Sequence, residues 1–167
     1  LARSRGLGDV YKRQIYTFIS PEADALGSGW NIAQSKIAIG SGQFFGKGYM
    51  EGSQSQLDFI PESHTDFIFA VIVEEFGFLG ALGLFLLYAF LIHRLLYVAK
   101  SSNSKFAKLV SATLSIILAA YITLNISMVV GIFPVVGMPL PFISQGGTAL
   151  VVNMITIGII LSLRRTT

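Results

Sequence analysis

The chain has 167 residues, of which 53% are hydrophobic and only 13% charged, with a net charge of +3 and no cysteine. Soluble proteins carry roughly 25% charged residues, so the composition argues against an ordinary soluble domain, and its apolar content rules out disorder. Disulfides, thiolate metal sites and cysteine nucleophiles are excluded, and the basic excess is too small and scattered for a nucleic-acid partner.

Residues 1–14, LARSRGLGDVYKRQ, hold four of the twelve basic residues and begin no apolar run. They read as a non-native or sequence-assembly segment and are set aside from the fold. Residues 15–65 are rich in glycine, glutamine and serine. Within them, 30–39 reads as a short helix lying at the membrane surface or folded over the spans. Gly40, Gly42, Gly46 and Gly48 then surround Lys47. A phosphate loop needs four residues between its glycines and Ser or Thr after the lysine. This segment has neither, so it reads as a turn-rich loop. The functional alternative is a backbone cradle for a lipid diphosphate, with Lys36 or Lys47 as counter-charge.

PESHTDF (61–67) opens the first apolar helix, expected over 66–98. Ser63-His64-Thr65-Asp66 fits a capping box, which gives Asp66 a purely structural reading. Yet Glu62, His64 and Asp66 place three titratable groups within five residues at the mouth of a membrane helix. Glu74 follows about 12 Å deeper. Carboxylates within a membrane are costly unless they face a polar cavity or a partner. The economical expectation is a polar cavity with Asp66 at its rim and Glu74 on its wall. Gly77, Gly80 and Gly83 read as a small-residue packing stripe.

A basic loop is expected over 99–108 and a second span over 109–133, in which Asn125 reads as an interhelical hydrogen bonder. GMPLPFISQGG (137–147) carries two prolines and three glycines. Such backbone dips into a membrane only where protein or water satisfies it, so 134–146 is expected to be a re-entrant or cavity-capping loop. A third span covers 147–163 and a tail 164–167. All nine acidic residues lie at or before Glu75, and the six basic residues beyond it fall at 94–108 and 164–165. The positive-inside rule then puts the 99–108 loop and the C-terminus in the cytoplasm and 15–65 outside. The expected fold is an all-α polytopic membrane protein in the bacterial cytoplasmic membrane. A chain that starts in an outer loop reads as a fragment.

QSKIAIGSG (34–42), GKG (46–48), QSQLDFIPESHTDFIFAVIVEE (54–75), NISMVVGIFPVVGMPLPFIS (125–144) and GGTAL (146–150) resemble the SEDS family of bacterial cell-wall proteins, which includes RodA, FtsW and SpoVE. GKG followed by QSQLDFIPE, and the methionine of NISMVVG, look most like the RodA branch. The resemblance implies a fold of about ten transmembrane helices, of which this chain would be the C-terminal three plus the large outer loop. It implies polymerisation of lipid II into glycan strands during cell elongation and shape maintenance, alongside a class B penicillin-binding protein. The family's essential aspartate, in its PExHTDF motif, falls on Asp66. One departure is Ser144-Gln145-Gly146-Gly147, where the family usually has tyrosine in second place.

In that chemistry a sugar hydroxyl attacks an anomeric carbon and a diphosphate-linked lipid leaves. Asp66 would serve as base, or hold a divalent cation (Mg or Mn) that bridges the diphosphate. Lys36 and Lys47 are candidates for the diphosphate, while Glu62, His64 and Glu74 complete the candidate substrate site. Three spans leave a helix-walled cavity open on one side, so the chain alone is expected to be inactive. A lipid II flippase, a non-catalytic scaffold for the penicillin-binding protein and an FtsW-like division role are the alternative readings.

Overall fold

The computed structural model describes residues 28–52 and 65–165, and among these the chain is entirely helical. Four helices follow in order: α1 Ser28–Gly42, α2 Ile68–Ser101, α3 Lys105–Val130 and α4 Gly147–Arg165. The helices α2 and α3 are long and apolar enough to cross a membrane, and the apolar part of α4, Gly147–Leu163, is shorter. Only residues 102–104 separate α2 from α3, so the two return on each other as an antiparallel hairpin. The basic loop expected over 99–108 is therefore mostly helix. Lys100, Lys105 and Lys108 sit in the terminal turns, where long side chains reach polar surroundings without ending the helix.

Burial is distributed as a membrane helix requires. Val73, Leu84, Tyr88 and Leu95 of α2 are buried with Leu118, Ile122, Met128 and Val129 of α3. Phe85, Leu86, Leu87 and Phe90 on α2, and Leu109 and Ile116 on α3, are exposed. In water such a surface would drive association, whereas in lipid it is the solvated face. Exposed apolar side chains also cover most of α4, of which Ile160 is fully buried.

Helix α1 folds over the hairpin instead of lying apart from it. Ile32, Ser35 and Ala38 are buried along one side. Ser35 Oγ donates to the Val129 carbonyl at 2.9 Å, and so satisfies one of the four carbonyls a helix C-terminus leaves open. Lys36 is exposed, with its ammonium laid over Gly131, where a Cβ would meet Nζ at 2.6 Å. A cation just beyond the last turn of α3 is favourably placed against the helix dipole.

The glycine spacing in α2 has a different meaning from a packing stripe. Gly77 has φ 65° and ψ −159° inside the helix, a conformation open essentially only to glycine, and α2 is broken there. Loop 43–48 plugs into the break. In an unbroken helix Glu74 O would accept from Phe78 N, and Glu75 O from Leu79 N. Here Lys47 N and Gly48 N take those carbonyls, each at 3.0 Å. The released Phe78 and Leu79 amides donate to Gln43 O at 2.9 Å and Phe44 O at 3.3 Å. Two helical bonds are exchanged for four bonds to the loop. Irregular backbone at membrane depth is tolerated where its polar groups are bonded, and these four groups all find partners. Gly83, by contrast, faces open space.

Candidate functional site

The site forms where α2 begins. Phe67 is its N-cap residue and offers no side-chain cap. It is almost fully buried, which anchors the turn 65–67 against the hairpin. Asp66, one residue earlier, is half-buried. Its carboxylate lies against the loop 134–146: a Cβ at Gly137 would sit 3.3 Å from Oδ2.

Five side-chain hydrogen bonds hold this turn and loop together. Asn125, fully buried in α3, donates through Nδ2 to the carbonyl of Asp66 at 2.9 Å and to that of Met138 at 2.5 Å. Ser144 Oγ donates to Thr65 O at 2.6 Å and accepts from Leu140 N at 2.7 Å. Tyr88 of α2 donates to Pro141 O at 2.6 Å. Helix α3 and the loop thus hold the carbonyls of residues 65 and 66, and α2 ties the loop through Tyr88. Phe142, in the same loop, has φ 67°, a strained conformation for a bulky residue. Strain of this kind persists only where surrounding contacts over-determine it. The loop's other face contributes Pro139 and Pro141 to a cavity of about 490 Å³ between α3 and α4, also lined by Leu118, Tyr121, Asn153 and Thr156.

Of the remaining candidates, Lys47 and Glu74 are brought together. Lys47 Nζ lies 2.8 Å from Glu74 Oε1, and Glu74 is fully buried. The pair seals the seam where the loop enters α2, so any role of Lys47 toward a diphosphate would require sharing this bond. Lys36 stands at the end of α3, and Glu62 and His64 lie outside the described residues. Among the described residues no three His, Asp or Glu side chains cluster in a way that would hold a metal. Asn125, Ser144, Tyr88 and Gly137 were not among the expected site residues. Their signal was faint: a carboxamide inside an apolar run, and a glycine between two apolar residues.

The Lys47–Glu74 pair yields a direct prediction. Lys47→Ala leaves the fully buried negative charge of Glu74 without its ammonium counter-charge, which costs about 3–5 kcal/mol. The double substitution Lys47→Ala with Glu74→Gln removes that charge and is expected to recover most of the loss. Melting of the full-length protein in detergent checks this. Equal stability of the single variant and wild type would show that the pair holds nothing.

A family model described as Cell cycle protein, covering FtsW, RodA and SpoVE, matches residues 7–167. The chain is 50% identical over 155 residues to the peptidoglycan glycosyltransferase MrdB of Escherichia coli K12, covering 93% of this chain and 42% of MrdB. It is 38% identical over 150 residues to the peptidoglycan glycosyltransferase RodA of Treponema pallidum, covering 90% of this chain and 35% of that protein. Among solved structures, a chain from work titled "Structural coordination of polymerization and crosslinking by a peptidoglycan synthase complex" aligns with TM-score 0.74 and 26% identity. That alignment covers 95% of this chain and 43% of the other. The chain thus spans less than half the length of these relatives.

Proposed function

The chain belongs to the FtsW/RodA/SpoVE family of cell cycle proteins, and from that premise we propose that it is part of a membrane-embedded glycosyltransferase that polymerises lipid II into peptidoglycan strands. The activity is that of the whole protein, of which this chain supplies the helices around Asp66. The observation that carries the reading is the clamp on Asp66. Asn125 and Ser144 hold the carbonyls of residues 65 and 66, and Gly137 walls the carboxylate.

In this reading α4 is a third span. Its 19 residues rise about 28 Å, close to the hydrocarbon thickness of ~30 Å. Asp66 faces the outer side of the cytoplasmic membrane, where the lipid-linked substrate is consumed. Asp66 accepts the proton of the acceptor sugar's hydroxyl as its oxygen bonds to the donor's anomeric carbon. The bond from that carbon to the diphosphate oxygen breaks, and the lipid diphosphate leaves with the electron pair. Positive charge at the diphosphate stabilises this departure. Of the two candidate lysines, Lys36 is the one not tied to Glu74. A divalent cation would supply positive charge to the same end, and Asp66 is the described residue that would contribute a ligand to it.

The motif GKG…QSQLDFIPE and the 50% identity to MrdB favour an elongation role. The solved relative's title couples polymerisation with crosslinking, which supports a class B penicillin-binding protein as partner. Glycan-strand synthesis from purified lipid II by the full-length protein tests the activity, and absence of product from well-folded protein would refute it. The orientation has its own test. Cysteines are placed at Asn103 and at Glu51, both exposed. In intact cells Glu51→Cys is expected to react with membrane-impermeant thiol reagents and Asn103→Cys to be shielded. The opposite pattern would put Asp66 in the wrong compartment.

A further inference from the structure

We propose that Asn125 is a positioning residue for Asp66, acting through the backbone on both sides of its carboxylate; this deepens the reading of Asp66 given above and rests on it. A carboxamide in the apolar helix α3 is costly unless its polar atoms are bonded. Asn125 is fully buried, and its Nδ2 bridges two carbonyls from different elements, Asp66 O on the α2 side and Met138 O in loop 134–146. Only a nitrogen can face two carbonyls, so the amide's orientation is determined by its partners. Its Oδ1 is left buried and without a hydrogen-bond partner among the described residues. A buried polar atom retained at that cost calls for an explanation beyond packing.

The geometry supplies one. Met138 adjoins Gly137, the residue lying against Asp66 Oδ2. One amide therefore holds the backbone of Asp66 and the backbone next to the wall of its carboxylate. Removing it frees both at once, and the distance between carboxylate and attacking hydroxyl becomes loose. An error of about 1 Å in such a position costs on the order of 10²-fold in rate. Substrate binding elsewhere in the cavity does not depend on that distance.

The experiment is a double-mutant cycle in the full-length protein, with purified lipid II as substrate. Asn125→Ala is expected to lower kcat about tenfold or more while KM stays within about twofold. In the Asp66→Asn background the same substitution is expected to add less than about twofold, because the group it positions is already gone. Equal fold-losses in both backgrounds, a loss carried by KM, or no loss would overturn the inference. If Asn125→Ala does not fold, Asn125→Ser carries the same comparison, since its hydroxyl can still donate to one of the two carbonyls. The two failures are separable. Near-normal activity of Asp66→Asn sinks the reading of Asp66 and this inference with it, whereas a crippled Asp66→Asn with independent Asn125 losses sinks the inference alone.

Discussion

Gly77→Ala in the full-length protein is expected to abolish folded, monodisperse product, while Gly83→Ala, six residues along the same helix, leaves the melting temperature unchanged or higher. The two substitutions add the same methyl group. At Gly77 the backbone has positive φ and an extended ψ, which an L side chain does not adopt without strain. A Cβ there would also collide with the Gly46 nitrogen and crowd the Phe44 carbonyl at 2.7 Å. Relief would require the loop to withdraw. The carbonyls of Glu74 and Glu75 and the amides of Phe78 and Leu79 would then lose their partners, and each bare group at membrane depth costs several kcal/mol. The combined penalty exceeds about 4 kcal/mol, a magnitude reserved for a few mechanisms, of which backbone strain is one. At Gly83 a Cβ meets nothing within 4 Å, and Ala is favoured over Gly in a helix interior by about 0.5–1 kcal/mol. Melting curves in detergent decide between them. Equal behaviour of the two variants would mean that α2 is not broken at Gly77.

That contrast also marks the boundary of what the sequence discloses. The helices were legible from charge and hydropathy, because acidic residues stop at Glu75 and the later basic ones cluster between apolar runs. Asp66 was legible as a titratable group at a helix mouth, and the resemblance implied a catalytic role for that position. Gly77, Gly80 and Gly83 looked equivalent because a three-residue spacing says only that small residues share a stripe. The loop that makes Gly77 different comes from about thirty residues earlier, and only the folded chain brings its amides to the carbonyls of Glu74 and Glu75. Lys47 and Glu74 were separate candidates for the same reason: their pairing spans 27 residues. Asn125 was recognisable as an interhelical donor by type, since a carboxamide in an apolar helix needs a partner. Its partners are backbone carbonyls, which carry no side-chain signature.

Asp66→Asn is expected to lower lipid II polymerisation by a factor of about 10² or more. Asn matches Asp in shape, so the contact with Gly137 and the ties from Asn125 and Ser144 to residues 65 and 66 are kept. What is lost is the negative charge and the proton affinity. A residue serving only the helix N-terminus would tolerate this, because Asn is as good a cap as Asp and the cost would be at most about 1 kcal/mol. Asp66→Glu separates the two roles further. It retains the charge but displaces it by one methylene toward a wall that leaves little room, which a cap accepts and a positioned base does not. The most direct measurement is the rate of glycan-strand synthesis from purified lipid II by the full-length Asp66→Asn protein, with its folding, lipid II affinity and penicillin-binding partner association measured alongside. The account predicts a loss of about 10² or more with the other three properties intact, and near-normal synthesis by a well-folded Asp66→Asn protein would contradict it.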